Sequence, residues 1–310
     1  MSPALVFFGR HPTPGRCKSR LARSVGSDDA AASIYDAIVR VVLLRATLSR
    51  VDRDETDEEQ TRVIFTCAAE DDVAPCRALL ERGGRWCVED SAPSTSTAID
   101  VRAQTQVDDL GARLVDAFRV ELENARARGA RYPPPVCVAG TDIPAFSFEH
   151  ARRALERARD ERCVTFGPSR DGGFYCVAAT ATPDNCEKLS RAFADVVWSS
   201  SETLAQCVAN CEAEGMVVRV DMETLQDVDD ARDLERALDE GERPERPDDA
   251  RYVARLRETY DEIRTTFRDA IYMEYTISCA AHGMNRITHS QVISRGIQVA
   301  WVIIIILRSK

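Results

Sequence analysis

Short apolar runs alternate along this chain with longer stretches of helical periodicity. Runs without apolar/polar alternation, bounded by Gly, Pro or charged residues, are typical of strands buried on both faces. They predict strands at 4–8, 62–67, 85–89, 136–139, 162–166, 174–178 and 216–220. Apolar positions recurring at i, i+3, i+4 and i+7 predict amphipathic helices. These fall at 28–48, 73–82, the later part of 104–122, 147–159, 204–214, the stretch after 227, and 250–270.

The alternation of strands and helices predicts an α/β fold. Its spacing favours a Rossmann-like, mixed but mainly parallel sheet with helices on both faces. We assign 1–240 to this domain and 241–270 to a charged, Pro-containing linker followed by a C-terminal helix. The remaining stretch, 271–310, lacks clear periodicity and is interpreted as an irregular tail that is disordered or not native sequence. Its apolar run at 299–307 is shorter than the roughly 20 residues that span a bilayer, which leaves a marginal anchor or a buried strand as alternatives.

The segment 135–144, PVCVAGTDIP, is the centre of the predicted site. In parallel sheets ligands bind just beyond the carboxyl ends of the strands, which is where Asp142 lies. Gly140 allows another group to approach the backbone closely, and Pro144 keeps Ile143 out of helical geometry. The alternative is that Asp142 only caps a helix or a turn.

A basic loop follows the first strand, from Gly9 through Gly15 to Arg20. Its Gly and Pro residues hold the backbone open or rigid, and it carries cationic side chains that can cradle an anion, at Arg10, Arg16, Lys18 and Arg20. The loop lacks the Walker A pattern. A solvated basic loop is the alternative.

Two further carboxylate groups carry candidate chemistry. Asp171-Gly172-Gly173 lies between two apolar runs and predicts either a hairpin turn or bare backbone against which a nucleotide or sugar can lie. Asp227 precedes a helix whose first turn is crowded with carboxylates. The helix dipole by itself explains Asp229, Asp230 and Asp233, whereas Asp227 is freer to bind a ligand.

Charge and cysteine content narrow the class of protein. A net charge of −10 gives no basic face for nucleic acid. The eleven cysteines are scattered, odd in number and without a Cys-x-x-Cys pair, which favours buried reduced thiols over a zinc site and predicts a cytoplasmic protein. The N-terminal apolar run has no basic region before it and is interpreted as a first strand rather than a signal peptide.

Taken in order, these motifs resemble a family of A-type glycosyltransferase-like transferases. The family is found beside radical-SAM and selenoprotein-type genes and is distantly related to the phospholactate and molybdenum-cofactor guanylyltransferases. The resemblance covers about 5–238 and rests on LVFFGRHPTPGRCKSRLARSVG, QTQVDDLGARLVDAF, AGTDIP, TFGPSRDGGFYCVA, VVWSS and LQDVDDARDL. The chain departs from the family pattern at Arg10, where Lys is usual, and at Ser19, where Thr is usual.

The resemblance implies a nucleotide-diphospho-sugar transferase fold and a set of site residues. Arg16, Lys18 and Arg20 would hold phosphates, and Asp142, with Asp227, would bind Mg²⁺ or Mn²⁺. Asp142 and Asp171 are the candidate catalytic residues, Asp171 as the base that accepts a proton from the acceptor hydroxyl. The residues expected around the bound donor and acceptor are Gly9, Arg10, Gly15, Arg16, Lys18, Arg20, Gly140, Thr141, Gly172 and Gly173.

Three functions follow as hypotheses. The first is a metal-dependent glycosyltransferase that uses a nucleotide sugar and a small-molecule acceptor. The second is a nucleotidyltransferase that joins an NTP to a small phosphorylated or carboxylated acceptor. The third is a catalytically idle nucleotide-binding scaffold, with the C-terminal helix and apolar tail as its interaction surface.

Overall fold

The computed structural model describes residues 2–48, 61–81, 84–86, 99–240 and 250–281. Within these ranges the strands are β1 (Ala4–Gly9), β2 (Arg62–Cys67), β3 (Asp100–Ala103), β4 (Pro135–Gly140), β5 (Cys163–Pro168), β6 (Phe174–Thr180) and β7 (Val217–Arg219). The helices are α1 (Ser19–Val25), α2 (Asp28–Leu48), α3 (Val73–Leu80), α4 (Leu110–Ala127), α5 (Phe148–Arg157), α6 (Pro183–Ala192), α7 (Thr203–Ala213), α8 (Ala231–Glu240) and α9 (Ala250–Ala281).

The strands form one sheet in the order β3-β2-β1-β4-β6-β5-β7. β1 pairs in parallel with both β2 and β4, so that Leu5 lies opposite Val63 and Cys137. β6 is antiparallel to its neighbours β4 and β5, whereas β2–β3 and β5–β7 are parallel pairs. The prediction of an α/β fold with a mainly parallel, mixed sheet is confirmed.

The central strands β1 and β4 are buried on both faces, as their unalternating apolar runs predicted. Leu5, Phe7, Cys137 and Ala139 join a core with α1, α2, α5, α8 and α9. The intervening side chains of both strands join a second core with α4, α6 and α7 on the opposite face. The sheet therefore lies between two helical layers, and the carboxyl ends of β1 and β4 open beside each other.

The structure describes only the first two residues of the strand predicted at 85–89. Residues 84–86 form a turn, and the rest of the predicted strand at 85–89 lies outside the described residues. The apolar signal came from Trp86, which is buried against Phe65 with ring centroids 5.3 Å apart and donates its indole N–H to Asp36 over 2.9 Å. The strand on the side of β2 away from β1 is β3. Its sequence, DVRA, is short and half polar and gave no strand signal.

Three helices differ from the sequence prediction. α1 begins at Ser19, inside the segment predicted to be a basic loop, and α6 was not predicted. The sequence signal for α6 is Thr182 followed by a proline in the first turn of the helix. The Thr182 hydroxyl caps α6 by accepting the Asn185 N–H. α9 continues to Ala281 instead of ending at 270, because Ile271 extends its buried face.

α9 packs along α2 in the first core, through Tyr252, Leu256, Tyr260, Ile263 and Phe267. The helix is therefore part of the folded domain rather than an appendage to 1–240. The predicted linker at 241–249 and the rest of the predicted tail, 282–310, lie outside the described residues. Among the helices that the structure describes, none combines the length and apolarity needed to cross a membrane.

Nine cysteines have side chains that the structure describes, and they agree with the prediction of reduced thiols. These nine are buried and free: Cys17, Cys67, Cys76, Cys137, Cys163, Cys176, Cys186, Cys207 and Cys211. Such thiols behave as small apolar core residues.

Candidate functional site

Two adjoining cavities lie where β1 and β4 end. The larger, of about 550 Å³, is lined by the loop after β1 and the first turns of α1 and α4. The smaller, of about 300 Å³, is lined by the ends of β4 to β6, the segment before α7 and the segment before α8. Five residues line both cavities: Phe8, Leu110, Asp142, Ser199 and Asp229.

The two cavities carry opposite charge. The larger one, called here the cationic cavity, is lined by Arg10, Arg16, Lys18, Arg20 and Arg113, against the carboxylates of Asp142 and Asp229. The smaller one, called here the acidic cavity, is lined by Asp142, Asp171, Asp227 and Asp229 and by no Lys or Arg among the described residues. A polyanion is therefore attracted to one side of Asp142 and a cation or neutral polar group to the other.

The loop after β1 is shaped by its backbone. Gly15 adopts a φ of 74°, and Arg16 N–H donates to the Thr13 carbonyl over 3.0 Å to close a turn. Lys18 adopts a φ of 46° at the start of α1, one of two positive φ values among described non-glycine residues. Such a conformation costs on the order of 1 kcal/mol for a residue with a side chain, so the surrounding structure must hold it in place.

Lys18 and Arg20 lie in a chain of alternating charges. Lys18 Nζ is 2.8 Å from Asp142 Oδ2 and 3.3 Å from Asp229 Oδ1. Arg20 donates to Asp229 Oδ2 over 2.7 Å. Burial by itself lowers the pKa of Lys18, but the two carboxylates outweigh it and raise the pKa well above the usual range. Lys18 is therefore a permanent cation at the junction of the two cavities.

Tyr35 anchors the loop to the central strands. This residue on α2 accepts the Arg10 backbone N–H over 3.1 Å, and its hydroxyl lies 2.9 Å from Thr141 Oγ1. Thr141 Oγ1 also lies 3.3 Å from the Phe8 carbonyl and donates to it. Burial raises the pKa of Tyr35 to about 12, so the phenol stays neutral. Thr141 lines the cationic cavity, and its hydroxyl also braces the loop.

The segment before α8 brings two more carboxylates to Asp142. Val228 N–H donates to the Asp142 carbonyl over 3.0 Å, which places Asp227 and Asp229 beside it. Burial, together with the charges of Asp171, Asp142 and Asp229, raises the pKa of Asp227 to about 7. The carboxylates of the acidic cavity thus repel one another, and a cation among them relieves that repulsion.

A divalent cation fits this donor set only with help from a ligand. Among the described residues, no group of three or more His, Cys, Asp or Glu side chains is arranged to hold a metal ion. Asp142 and Asp227 line the same cavity. Mg²⁺ commonly uses one or two carboxylates and completes its coordination with water and phosphate oxygens, so this pair suffices beside the cationic cavity.

The Asp171-Gly172-Gly173 turn contributes unequally to the site. Asp171 and Gly173 line the acidic cavity, and Asp171 Oδ1 accepts the Gly173 N–H over 2.8 Å. Gly172 lines neither cavity. It has a φ of 89°, and a Cβ there would lie 2.1 Å from the Ser201 carbonyl oxygen, so its backbone is approached by the protein itself rather than by a ligand.

The other three predicted glycines each line one of the two cavities. Gly9 and Gly15 line the cationic cavity, and Gly140 lines the acidic one. A Cβ on Gly9 would lie 2.4 Å from the Phe65 ring, and one on Gly140 would lie 2.8 Å from Asp142 Oδ1. Gly140 therefore leaves space for the carboxylate beside it.

Four residues at the site were missing from the sequence prediction: Tyr35, Arg113, Ser199 and Asp229. Arg113 projects from the first turn of α4 and donates to Gln104 Oε1 over 3.2 Å. Burial lowers its pKa, and the neighbouring Arg10 lowers it further. The sequence feature that could have located Arg113 is the Asp109 cap. Asp109 Oδ1 accepts the Ala112 N–H over 2.6 Å, which fixes where α4 begins and places Arg113 in its first turn. In the sequence, the helix dipole by itself accounts for the presence of Asp229. The structure adds two ion pairs, to Lys18 and to Arg20.

Comparison with known proteins agrees with this architecture. The model of the family DUF2064, described as an uncharacterized protein conserved in bacteria, matches residues 61–200. A crystal structure from Desulfovibrio desulfuricans G20, described as a "putative nucleotide-diphospho-sugar transferase", is 24% identical with a TM-score of 0.59. The match covers 86% of this chain and 99% of that one. No curated protein matches the chain.

Two further solved structures are more distant. A nucleotidyl transferase from a Methanothermobacter species is 18% identical over 76% of this chain and 95% of its own, with a TM-score of 0.40. A cytidylyltransferase from Leptospira borgpetersenii is 10% identical over 86% and 96%, with a TM-score of 0.42. The likeness to the Desulfovibrio structure shows that the chain has the fold of the nucleotide-diphospho-sugar transferases.

Proposed function

We propose that this protein is a metal-dependent transferase that uses a nucleotide-activated donor. The observation that carries the proposal is the separation of charge across Asp142, with a cationic cavity on one side and an acidic cavity on the other. The phosphates of the donor lie in the cationic cavity, held by Arg16, Lys18 and Arg20. The acceptor enters the acidic cavity.

The residues then take distinct parts in the reaction. The cations of the loop after β1 stabilise the charge that develops on the leaving phosphate group. Asp142 and Asp227 would hold Mg²⁺ or Mn²⁺, which supplies further electrostatic stabilisation of the phosphate oxygens when bound. Asp171 accepts the proton of the acceptor hydroxyl at the other side of the acidic cavity.

The charge of the acidic cavity favours glycosyl transfer. Its four carboxylates, with no Lys or Arg among the described lining residues, suit an uncharged group rich in hydroxyls. They oppose a phosphorylated or carboxylated acceptor, which the nucleotidyltransferase hypothesis requires. A donor sugar and a neutral acceptor are therefore the better fit.

One observation favours nucleotidyl transfer as the second candidate. The five cations of the cationic cavity outnumber its two carboxylates. That surplus suits a triphosphate and the pyrophosphate it releases more than it suits the two phosphates of a nucleotide sugar. The products separate the candidates, since glycosyl transfer releases a nucleoside diphosphate and nucleotidyl transfer releases pyrophosphate.

A thermal-shift panel tests the proposal. UDP-, GDP-, ADP- and CDP-sugars and the four NTPs are each compared with Mg²⁺, Mn²⁺ or EDTA, because a ligand that binds only the folded protein raises its melting temperature. We expect one class of nucleotide to give a metal-dependent shift that Asp142→Asn abolishes. The matched control is Asp195→Asn, an exposed residue outside both cavities with the same change in charge.

Each remaining outcome is informative. A shift that Asp142→Asn leaves unchanged would remove the metal role from Asp142. A metal-dependent shift without product release, when the ligand is offered small sugars, alcohols and amines, would favour the idle scaffold. No shift with any nucleotide would refute the proposed function and leave the fold standing.

A further inference from the structure

The chain of alternating charges between the two cavities contains as many negative as positive groups. Arg20, Asp229, Lys18 and Asp142 follow one another at 2.7, 3.3 and 2.8 Å. Lys18 is the most enclosed member, with 9% of its side chain exposed, whereas Asp142 and Asp229 are 32% and 36% exposed. Two of the three cations expected to bind phosphate, Lys18 and Arg20, therefore already have carboxylates within hydrogen-bond distance.

We propose that Asp229 is an internal counter-ion that makes the binding of donor phosphate and of the divalent cation depend on each other. The inference rests on the proposed function. A phosphate that approaches Lys18 and Arg20 without a metal meets the negative charge of Asp229. A metal that approaches Asp142 without phosphate meets the positive charge of Lys18. When the two bind together, each charge of the chain keeps an opposite neighbour, so each ligand raises the affinity of the other.

The position of Asp229 separates it from the capping carboxylates of α8. The helix begins at Ala231, and its first N–H groups are accepted by Asp230, whose Oδ1 takes those of Arg232 at 2.7 Å and Asp233 at 3.1 Å. Asp233 Oδ2 in turn accepts the backbone N–H of Asp229 over 3.2 Å. The backbone of Asp229 is thereby fixed while its side chain is directed to Lys18 and Arg20.

The other cations of the cavity lie outside this chain. Arg16 is 3.4 Å from Asp72, and Arg113 donates to Gln104. They attract phosphate whether or not a metal is present. Phosphate binding therefore depends on the metal through Lys18 and Arg20. Removing the charge of Asp229 should weaken that dependence.

Calorimetric titration with inorganic pyrophosphate, in EDTA and in Mg²⁺, tests the inference. For the unmodified protein we expect Mg²⁺ to tighten pyrophosphate binding by about tenfold or more, within the range usual for coupled sites. In Asp229→Asn, binding in EDTA should be about tenfold tighter than in the unmodified protein, and the gain from Mg²⁺ should fall to about threefold or less. Asp195→Asn, which changes the net charge equally, should behave as the unmodified protein.

A second measurement covers the metal side and does not depend on the stability of Asp229→Asn. Removing Arg20 in Arg20→Gln leaves Asp229 with one cation fewer, so Mn²⁺ without phosphate should bind more tightly, as measured by electron paramagnetic resonance. Arg23→Gln, an exposed position on the same helix outside both cavities, is the matched control. Unchanged Mn²⁺ affinity in Arg20→Gln would overturn the inference.

The outcomes distinguish this inference from the proposed function. Pyrophosphate that binds the unmodified protein equally well with and without Mg²⁺ would overturn the coupling and leave a phosphate site. Weaker metal-free binding in Asp229→Asn would also overturn it, because Asp229 would then serve only to orient the cations. If neither pyrophosphate nor any nucleotide binds under either condition, both the inference and the proposed function fail.

Discussion

Replacing Lys18 by methionine is the most direct probe of the cationic cavity. The substitution removes the ammonium group but keeps an unbranched side chain of similar length, which suits a position that is 9% exposed. The residue makes no contact through its charge except with Asp142 and Asp229, as far as the described residues show. The change therefore isolates the effect of one charge at the junction of the cavities.

The expected loss of affinity follows from the contacts that this charge can make. A charge-assisted hydrogen bond contributes about 1.5 to 3 kcal/mol, and about 1.4 kcal/mol corresponds to a factor of ten in affinity. Phosphate must share Lys18 with two carboxylates, so the lower half of that range applies. We expect Lys18→Met to weaken binding of the preferred nucleotide by about 10- to 40-fold.

The same change should have little effect on stability. Asp142 and Asp229 are 32% and 36% exposed, so water can solvate them once the ammonium is gone. Removing one partner of an ion pair is strongly destabilising when the charge that remains is buried, which is not the case for these two carboxylates. We expect the free energy of unfolding to change by about 1 kcal/mol or less, in line with partly exposed ion pairs.

Calorimetric titration and urea unfolding of the same preparations separate these two effects. Arg23→Met, on the same helix but outside both cavities, controls for the loss of a positive charge. A variant that lost stability while binding nucleotide as before would show that Lys18 is a structural residue. That result would refute the assignment of phosphate binding to the start of α1.

Other predictions concern the scaffold around the site. Glu121 is fully buried and pairs with Arg62 and Arg102, which are 29% and 22% exposed, so Glu121→Gln should cost about 1.5 to 3 kcal/mol in urea unfolding. Burial raises the pKa of Glu121, but the two arginines outweigh it and lower the pKa below the ordinary 4.5. The loss of stability in Glu121→Gln should therefore be largest above pH 4.5. It should shrink as the pH falls through the lowered pKa of Glu121, because the carboxylate of the unmodified protein is then protonated. Gly172→Ala should cost about 1 to 3 kcal/mol, because its φ is 89° and its Cβ would meet a backbone oxygen at 2.1 Å. Gly129→Ala, with a φ of 70° and open space, measures the conformational part alone.

The sequence predicted the parts of the fold that depend on local pattern. β1 and β4 were found because a strand buried on both faces is a continuous apolar run, and α4 because its apolar side recurs with the period of a helix. β3 has neither signal, since DVRA is short and its partner β2 supplies the pairing. Trp86, at the start of the strand predicted at 85–89, is a buried aromatic in a turn, and a single buried aromatic resembles part of a strand in sequence.

The site was predictable only as separate pieces. The loop after β1 and the segment around Asp142 were found from residue type and position after a strand. That Lys18 pairs with Asp229 was not, because the two are 211 residues apart and no local pattern links them. Tyr35 lies within the amphipathic helix predicted at 28–48, and only the fold brings its hydroxyl to Thr141.

The acidic run before α8 shows why composition alone misassigned part of the site. In the sequence the helix dipole explains Asp229, Asp230 and Asp233 equally well, yet their hydrogen bonds differ. Asp230 and Asp233 accept backbone N–H groups at the start of the helix, whereas Asp227 and Asp229 line the cavities. The bond from Val228 N–H to the Asp142 carbonyl fixes this division, since it holds one half of the run against β4 and leaves the other half to begin the helix. The same few residues thus end the site and start α8, so the stability of that helix and the charge balance of the site are set together.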